Sequence, residues 1–273
     1  MARMARVLDS DPPGGFIVRH QIDNDFYTED HPVLLTDDGS DPGVIFAQRG
    51  AELMLFGHPG HFGPAFADIL AGRIERDGGW PDAEAQADWE RAGVRYLHIT
   101  ASPIIAWEEA LEAGFLADPE STPWESYRWW FNGPPRFAHL VTHPCRMGVG
   151  SELYELLRSG IPYDPDGTYT RRVLECRPSY VCEMPGPEGA PVPVCWAAQH
   201  ADHSMGMIFT PMEHRRHGYA LSLAAFQTDE ILSREPCAVA HIAHDNKASM
   251  AVVRRLGAMR WERPITWRRI LFP

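Results

Sequence analysis

The segment at residues 210–232, "TPMEHRRHGYALSLAAFQTDEIL", places three basic side chains and one glycine directly ahead of an apolar pattern. After Gly218 the apolar side chains recur every three or four residues, which is the spacing of one buried helical face. The residues before this segment, "SMGMIFT", read as a strand. The pattern therefore predicts a strand, a basic glycine turn and an amphipathic helix. The predicted buried face contains Leu221, Ala224, Ala225, Thr228, Ile231 and Leu232.

A turn between a strand and a helix can bind an anion, because the first amides of the helix lack partners and the positive end of the helix dipole lies there. Gly218 would let a phosphate approach the backbone closely, and the small Ala220 leaves room beside the first helical turn. Arg215, Arg216 and His217 add positive charge at the rim. A solvated basic turn without a ligand is the alternative that this segment alone leaves open.

The overall composition is that of a folded, acidic protein. Of 273 residues, 44% are hydrophobic and 23% are charged, and the formal net charge is −12. This balance indicates a globular chain and argues against nonspecific nucleic-acid binding, which requires a basic face. No apolar run has the length of a signal peptide or approaches the roughly 20 residues of a membrane span. We therefore expect a cytoplasmic protein with neither a nucleic-acid nor a membrane partner, whose local basic cluster binds a small anion.

The cysteines give no sign of a disulfide framework or a structural metal. They are odd in number, contain no C-x-x-C pair and have no zinc-like histidine spacing, so we expect buried or idle thiols and no metal. The five are Cys145, Cys176, Cys182, Cys195 and Cys237.

The second half of the chain alternates strand and helix patterns. From Pro178 onward the predicted order is strand, strand, strand, helix, strand, helix, strand. The runs flanking the first helix are "SYVCEM", "VPVCWAAQH" and "SMGMIFT" before it, and "CAVAHIAH", "DNKASMAVVRRLGA" and "RWERPITWRRILF" after it. Asn246 is the predicted N-cap of the second helix, with Ser249 three residues on and Gly257 at its end.

The first half carries a faint copy of this order. "GVIFAQRGAELMLFG" reads as a hairpin turning at Arg49-Gly50, and "GPAFADILAGRIE" reads as a helix. "VRYLHITAS" reads as a strand and "PIIAWEEALEAGF" as a helix ending in the glycine at position 114. Gly63-x-Ala65 precedes the first of these helices as Gly218-x-Ala220 precedes its own. We interpret the match as an internal duplication with domains 1–133 and 134–273, divided near Asn132 to Pro135.

"EHRRHGYA", set between a strand and a helix, resembles the acyl-CoA pyrophosphate loop of the GNAT superfamily of N-acetyltransferases. The family pattern R/Q-x-x-G-x-G/A is met by Arg215, Gly218 and Ala220, and Asn246 with Ser249 resembles its N-x-x-S/A at the second helix. "PVCWAAQH", "TPMEHRRHGYA" and "AHIAHDN" are most similar to the glycine N-acyltransferase-like branch, whose members also carry a degenerate first domain. The resemblance covers residues 178–272 well and the first half only by pattern.

The resemblance implies an α/β (α+β) chain of tandem GNAT folds. Each would be a mixed central sheet with splayed parallel strands flanked by helices, and the pantetheine arm would lie in the gap of the second domain. The first domain has Gly60 where Arg215 stands and has Pro64, which removes one amide, so we expect a structural or substrate-binding remnant there. The implied cofactor contacts are Ile208, Phe209, Thr210, Arg215, Arg216, His217, Gly218, Tyr219, Ala220, Asn246 and Ser249.

Acyl transfer from a thioester to an amine needs a group that accepts the amine's proton. Where many family members have a glutamate, fourteen residues ahead of Gly218, this chain has Ser204, which could hold a water. Asp202 would share its strand face by period-two alternation. His241, on the central strand, could accept the proton directly or through that water, or could be a hydrogen-bonded core residue. The usual tyrosine acid is replaced by Val253, which leaves the leaving thiolate to water or to another residue.

The sequence thus predicts an enzyme, an N-acyltransferase that uses acetyl-CoA or another acyl-CoA and modifies the amine of a small molecule by direct transfer in a ternary complex. The acidic balance would favour a cationic amine. A noncatalytic acyl-CoA-binding or interaction protein, and a protein lysine or N-terminal acetyltransferase, are the alternatives. A monomer and a homodimer are both compatible with the pattern.

Overall fold

The computed structural model describes residues 6–9, 12–25, 33–36, 43–49, 52–70, 96–121, 123–161, 164 and 166–273. The chain divides into two compact units. The first unit comprises Met1–Arg128 and Trp261–Pro273, and the second unit comprises Trp129–Arg260. The last strand of the chain therefore lies in the first unit. The division into domains 1–133 and 134–273 stays a prediction, since compact units need not coincide with the two copies of a duplication.

The first unit combines helices with short strands. Its helices are α1 (Pro12–Asp25), α2 (Phe62–Leu70) and α3 (Ile104–Ala113). Its strands are β1 (Val33–Thr36), β2 (Val44–Arg49), β3 (Glu52–Gly57), β4 (Tyr96–Pro103), β5 (Leu116–Ala117) and β13 (Ile265–Leu271). A further strand, β6 (Trp124–Asn132), begins in this unit and ends in the second.

The sheet of the first unit is mixed, with the order β1-β2-β3-β4-β13. β3 and β4 are parallel and are joined at Glu52–His98 and Leu53–Ile99. β13 runs antiparallel to β4. A buried apolar cluster joins this sheet to α2 and α3, and the larger side chains in it are Leu53, Leu55, Phe62, Phe66, Ile99, Phe115 and Ile270.

The second unit has the same alternation of strands and helices. Its helices are α4 (Tyr154–Ser159), α5 (Thr168–Cys176), α6 (Tyr219–Leu232) and α7 (Lys247–Arg255). Its strands are β7 (Cys145–Met147), β8 (Ser179–Pro185), β9 (Pro191–Gln199), β10 (Met205–Phe209), β11 (Cys237–Ala243) and β12 (Met259–Arg260).

The sheet of the second unit is also mixed, with the order β6-β11-β10-β9-β8-β7. β10 and β11 are the parallel pair, whereas β10, β9, β8 and β7 are joined in antiparallel fashion. Both units thus place one parallel pair inside a mixed sheet, which confirms the predicted fold class.

Alternation along β8 and β9 gives the second unit two helical layers. Tyr180, Cys182 and Cys195 point to one face, where they cluster with Leu223 of α6. Val181, Trp196 and Ala198 point to the other face, and that cluster is completed by Leu157 of α4 and Val173 of α5. The sheet is therefore covered on both faces, with α6 on the face of Tyr180 and Cys195.

The helix predicted after Gly218 is α6, and its predicted face is buried except for Leu221, which is half-buried. Asn246 caps α7, because its side-chain oxygen accepts a hydrogen bond of 3.0 Å from the amide of Ser249. Gly114, which ends α3, adopts a left-handed conformation with φ 118°. These local predictions are confirmed. No helix in the described ranges is long and apolar enough to cross a membrane.

Candidate active site

The centre of the second unit is the point where β10 and β11 separate. The two strands pair at Met205 and Ala240. Beyond that point β10 has a bulge against β9, because Gly206 lies opposite Ala198 while Phe209 lies opposite Trp196. Two residues of β10 therefore oppose one residue of β9, which bends the strand.

The bulge changes the backbone of β10 at the point where it separates from β11. Met207, at the bulge, has φ 51°, a left-handed value that ordinary strand residues avoid. In the described part of the chain, no side chain accepts a hydrogen bond from the amides of Met207 and Ile208. Ile208, Phe209 and Thr210 are all half-buried.

The loop from β10 to α6 is a turn that contains two residues in the left-handed conformation. A short 3-10 turn (Met212–His214) is followed by Arg216 with φ 67° and Gly218 with φ 87°. Left-handed residues next to right-handed or extended ones turn successive N–H groups toward a common concavity. Gly218 is needed for its backbone angle rather than for space, since an added Cβ would meet only His143 Nε2 at 3.6 Å.

The start of α6 supplies further amides. Its first helical hydrogen bond runs from the Ser222 amide to the Gly218 carbonyl over 3.0 Å. The amides of residues 219–221 precede that bond and belong to the unpaired set of a helix start. Within the described ranges no side chain accepts from them, and the first turn has no acidic residue. This arrangement fits a multiply charged anion.

Basic and aromatic side chains surround these amides. Arg215 is held in place, because its Nε donates a 2.9 Å hydrogen bond to the Thr210 carbonyl and its guanidinium lies 5.9 Å from the Phe209 ring centre. The ring of His217 stacks on Tyr219 with centres 5.6 Å apart. Arg216 is exposed. The five sequence-predicted loop residues from Arg215 to Tyr219 are thus brought together around the helix start, with Ala220 half-buried in its first turn.

His143 is a member of this cluster that the sequence did not indicate. It precedes β7, and its ring lies 4.6 Å from that of Tyr219. Its Nε2 is 3.0 Å from the His217 carbonyl oxygen, and its amide donates a 3.0 Å hydrogen bond to Ser222 Oγ. The segment before β7 therefore supports the loop, through contacts that only the fold creates.

The three candidates for proton transfer also lie together. Ser204 donates from Oγ to Asp202 Oδ1 over 2.6 Å and from its amide to the same oxygen over 3.0 Å. Nδ1 of His241 lies 3.7 Å from Asp202 Oδ2. The side chains of His241 and Asp202 are 5% and 13% exposed. A carboxylate is thus held between a hydroxyl and an imidazole in a nearly closed space.

Asp202 contacts Ser204 from a turn, and not from the strand position that the sequence predicted. It lies in the turn between β9 and β10 rather than on a strand, and the next residue, His203, has φ 67°. The carboxylate bonds the amide two residues on, as aspartates in turns commonly do. Strand alternation therefore does not explain the contact.

Asp202 is ionised in this setting. Burial by itself would raise the pKa of Asp202, but the attraction of His241 and of His200 and the hydrogen bonds from Ser204 outweigh it and lower the pKa to about 2. Burial lowers the pKa of His200, against the opposing charge of Asp202. At neutral pH the turn therefore presents a carboxylate to His241.

His200 and Tyr169 extend this group and were missed by sequence reasoning. The Tyr169 hydroxyl lies 2.8 Å from His200 Nδ1. Tyr169 belongs to α5, which the sequence did not predict, so no pattern connected it to the β9–β10 turn. His200 was recognised only as the last residue of a strand-like run.

Two further positions that the family resemblance singled out lie at the start of α7 and within it. The side chain of Asn246 is engaged in the cap of α7 with the Ser249 amide. Val253, which stands where the family that the sequence resembles has a tyrosine, is buried on α7. The roles of Asn246 and Ser249 in cofactor binding stay predictions.

Comparisons with known proteins identify the fold. Residues 193–264 match a family model described as FR47-like protein. A GCN5-related N-acetyltransferase-like protein from Streptococcus suis 89/1591 has a TM-score of 0.53 and 17% identity, with 98% of this chain and 98% of that chain covered. A GCN5-related N-acetyltransferase from Kribbella flavida has a TM-score of 0.53 and 15% identity, with coverages of 94% and 95%. A Drosophila protein has a TM-score of 0.52 and 16% identity, with coverages of 84% and 73%. No curated protein matches the sequence.

Proposed function

Because this chain has the fold of the GCN5-related N-acetyltransferase (GNAT) superfamily, we propose that it is an acyl-CoA-dependent N-acyltransferase. Its donor is acetyl-CoA, and its acceptor is the primary amine of a small molecule. The observation that carries this proposal is the pair of amide groups without side-chain acceptors in the described residues, at 207–208 in the bulge of β10 and at 216–221 in the loop and first turn of α6. Acetyl-CoA supplies the activated thioester carbonyl that the amine attacks.

The donor would be held by main-chain groups and a few cations. The backbone of residues 207–209 suits the amide groups of a pantetheine arm, because these residues lie beyond the pairing of β10 with β11 at Met205 and Ala240. The amides of residues 216–221 suit a pyrophosphate, with Arg215 and Arg216 adding positive charge. Tyr219, whose ring lies next to the rings of three histidines, forms a wall beside that position.

His241 is the proposed proton acceptor for the attacking amine. The ionised carboxylate of Asp202 faces its Nδ1 and can fix the ring's orientation and stabilise its protonated form. Ser204 holds Asp202 in place through two hydrogen bonds, so it acts on the imidazole indirectly. Val253 has no proton to give to the leaving thiolate, which leaves that step to water.

The class of the acyl acceptor is proposed from the net charge of the chain. With a formal net charge of −12, the chain's field attracts a cationic amine more than an anionic one. A small amine that arrives protonated must lose a proton before it attacks, which is the task assigned to His241.

Calorimetric titration with CoA tests the donor site. We expect binding in the wild type and its loss in Gly218→Asp, which places a carboxylate among the amides. The matched control is Gly257→Asp, because Gly257 also has a positive φ of 77° but has open space beside it at the end of α7. Equal loss in both variants, or no binding in the wild type, would contradict the proposed donor site.

Release of free thiol from acetyl-CoA in the presence of a panel of small amines tests the reaction. We expect release with at least one cationic amine and a large reduction in His241→Ala. Binding without release for any amine would contradict an enzyme and favour a noncatalytic acyl-CoA-binding protein. Acetylation of lysine peptides but of no small amine would contradict the proposed acceptor class.

A further inference from the structure

The first unit contains its own strand, glycine loop and helix. β3 leads through residues 58–61 into α2, in the same way that β10 leads into α6. β3 and β4 are parallel, as β10 and β11 are. The first unit therefore repeats the arrangement around which the proposed acyl-CoA site is built.

In the first unit a carboxylate of the protein already occupies the amides of this loop. Glu109 accepts hydrogen bonds of 2.7 Å from the Gly60 amide at Oε1 and of 2.7 Å from the Gly63 amide at Oε2. Gly60 has φ 88°, and Gly63 lies in the first turn of α2. Glu109 projects from α3 and is only 8% exposed. Two oxygens of one buried anion thus bind the N–H groups that a phosphate would use.

A second side chain occupies the strand. The amide of Leu55 on β3 donates a 2.8 Å hydrogen bond to Ser102 Oγ, and Ser102 is fully buried. The ladder between β3 and β4 is formed at Leu53 and Ile99. At Leu55 the hydroxyl of Ser102 therefore replaces a main-chain partner, at the position along the strand where a pantetheine arm would be bound.

The neighbouring space is lined by the same unit's own C-terminal segment. Residues 55–57 of β3 and Pro103 face Trp261, Arg263, Pro264 and Ile265.

In the second unit, by contrast, no described side chain accepts a hydrogen bond from the amides of residues 207–208 or 216–221. The two loops have a similar arrangement of strand, turn and helix. Among the described residues, only in the first unit does a side chain of the protein accept the hydrogen bonds of the loop amides.

We propose that Glu109 is an internal substitute for a phosphate, with Ser102 as its counterpart on the strand, so that the chain binds one acyl-CoA. The first unit holds its loop in the ligand-bound conformation permanently and does not accept a nucleotide. This inference rests on the proposed function only for the ligand at Gly218. The internal hydrogen bonds of Gly60 and Gly63 are independent of it.

The test uses the full chain labelled with ¹⁵N-glycine and follows the amide resonances of Gly60, Gly63 and Gly218. CoA, and separately inorganic pyrophosphate, are added to the wild-type protein. We expect the Gly218 resonance to shift and to saturate at one equivalent of CoA, while the Gly60 and Gly63 resonances stay in place. Glu109→Gln should move the Gly60 and Gly63 resonances upfield, because a neutral amide oxygen is a weaker acceptor than a carboxylate.

The matched control is Glu108→Gln, an exposed glutamate on the same helix, which should leave both resonances unmoved. Glu109→Asp, which shortens the side chain, provides a second variant if the amide variant does not fold. The inference is overturned if CoA or pyrophosphate shifts Gly60 and Gly63 in the wild type, or if both Glu109 variants leave these resonances unchanged. Failure of CoA to shift Gly218 contradicts the proposed function instead, and the Glu109 comparison still decides the internal role.

Discussion

Ser204 donates a 2.6 Å hydrogen bond to the carboxylate of Asp202, and this contact orients the carboxylate toward His241. Serine has no basicity at neutral pH, so its place in the site is explained by what it holds rather than by what it transfers. Under the proposed function, the general base expected on the strand is replaced by a pair of residues, one on the turn before β10 and one on β11.

The low pKa of Asp202 makes the stability of the fold depend on pH. The pKa of Asp202 is about 2 in the folded state, whereas an aspartate in an unfolded chain has a pKa near 4. The ionised carboxylate therefore stabilises the fold at pH values above about 4, and this stabilisation is lost as the pH falls toward 2. The contribution is on the order of 2 kcal/mol. We expect Asp202→Asn to lower the free energy of unfolding at pH 7, and the difference from wild type to shrink between pH 5 and pH 2.5. Urea denaturation at several pH values measures this.

Asp245→Asn, at an exposed carboxylate after β11, is the control for general effects of charge removal. A constant difference between wild type and Asp202→Asn across this pH range would show that Asp202 is not stabilised in its ionised form.

Gly206 allows His200 to occupy its place beside Tyr169. A Cβ on residue 206 would lie 2.2 Å from His200 Nε2, so the ring must move and its 2.8 Å contact with the Tyr169 hydroxyl is lost. We expect Gly206→Ala to destabilise the protein by about 1–3 kcal/mol. The double variant with His200→Ala should recover part of this loss, because the clash disappears. Additive losses in a double-mutant cycle would contradict the proposed clash.

The parts of the fold that the sequence predicted are those set by local pattern. The three- and four-residue spacing after Gly218 and the Asn246 cap are properties of neighbouring residues, and both reappear in α6 and α7. Helix α5 was missed because only Thr170 and Val173 of its nine residues are buried, which is too few for a helical stripe. The turn predicted at Arg49-Gly50 includes Gly50, which lies outside the described residues.

The residues of the candidate site also comprise some that the local sequence predicts and others that only the fold brings together. The basic loop was predictable because its glycine, its cations and its helix are contiguous in sequence. His143, Tyr169 and His200 were not, since they join the site from separate segments and carry no spacing signal. The repeated loop of the first unit was predicted as a remnant from Gly60 and Pro64, but Glu109 lies far from it in sequence, and only the fold shows that its carboxylate fills the loop.

Arg215 should contribute to donor binding through charge. Its Nε is bound to the Thr210 carbonyl, which holds the guanidinium beside the loop at little further cost in side-chain entropy. We expect Arg215→Ala to weaken CoA binding about 10-fold or more, as hydrogen bonds to charged groups contribute about 1.5–3 kcal/mol. The effect should diminish at high salt, because exposed charges are screened. Calorimetry at two ionic strengths measures both effects.

The control for Arg215→Ala is Arg158→Ala, an exposed arginine on α4 that pairs with Glu155. Equal weakening by both substitutions would indicate a general change in net charge and would contradict a local role for Arg215.

Glu109 should stabilise the first unit by a measurable amount. Its two 2.7 Å hydrogen bonds satisfy two amides at the start of α2, and a carboxylate near a helix N-terminus also interacts favourably with the helix dipole. Glu109→Gln keeps the shape but loses the charge and one acceptor oxygen, so we expect the free energy of unfolding to fall by about 1–3 kcal/mol. Glu108→Gln on the same helix should change it by less than about 0.5 kcal/mol, as exposed substitutions usually do. Chemical denaturation of both variants measures the difference, and an equal effect of the two substitutions would show that the buried carboxylate does not hold the loop.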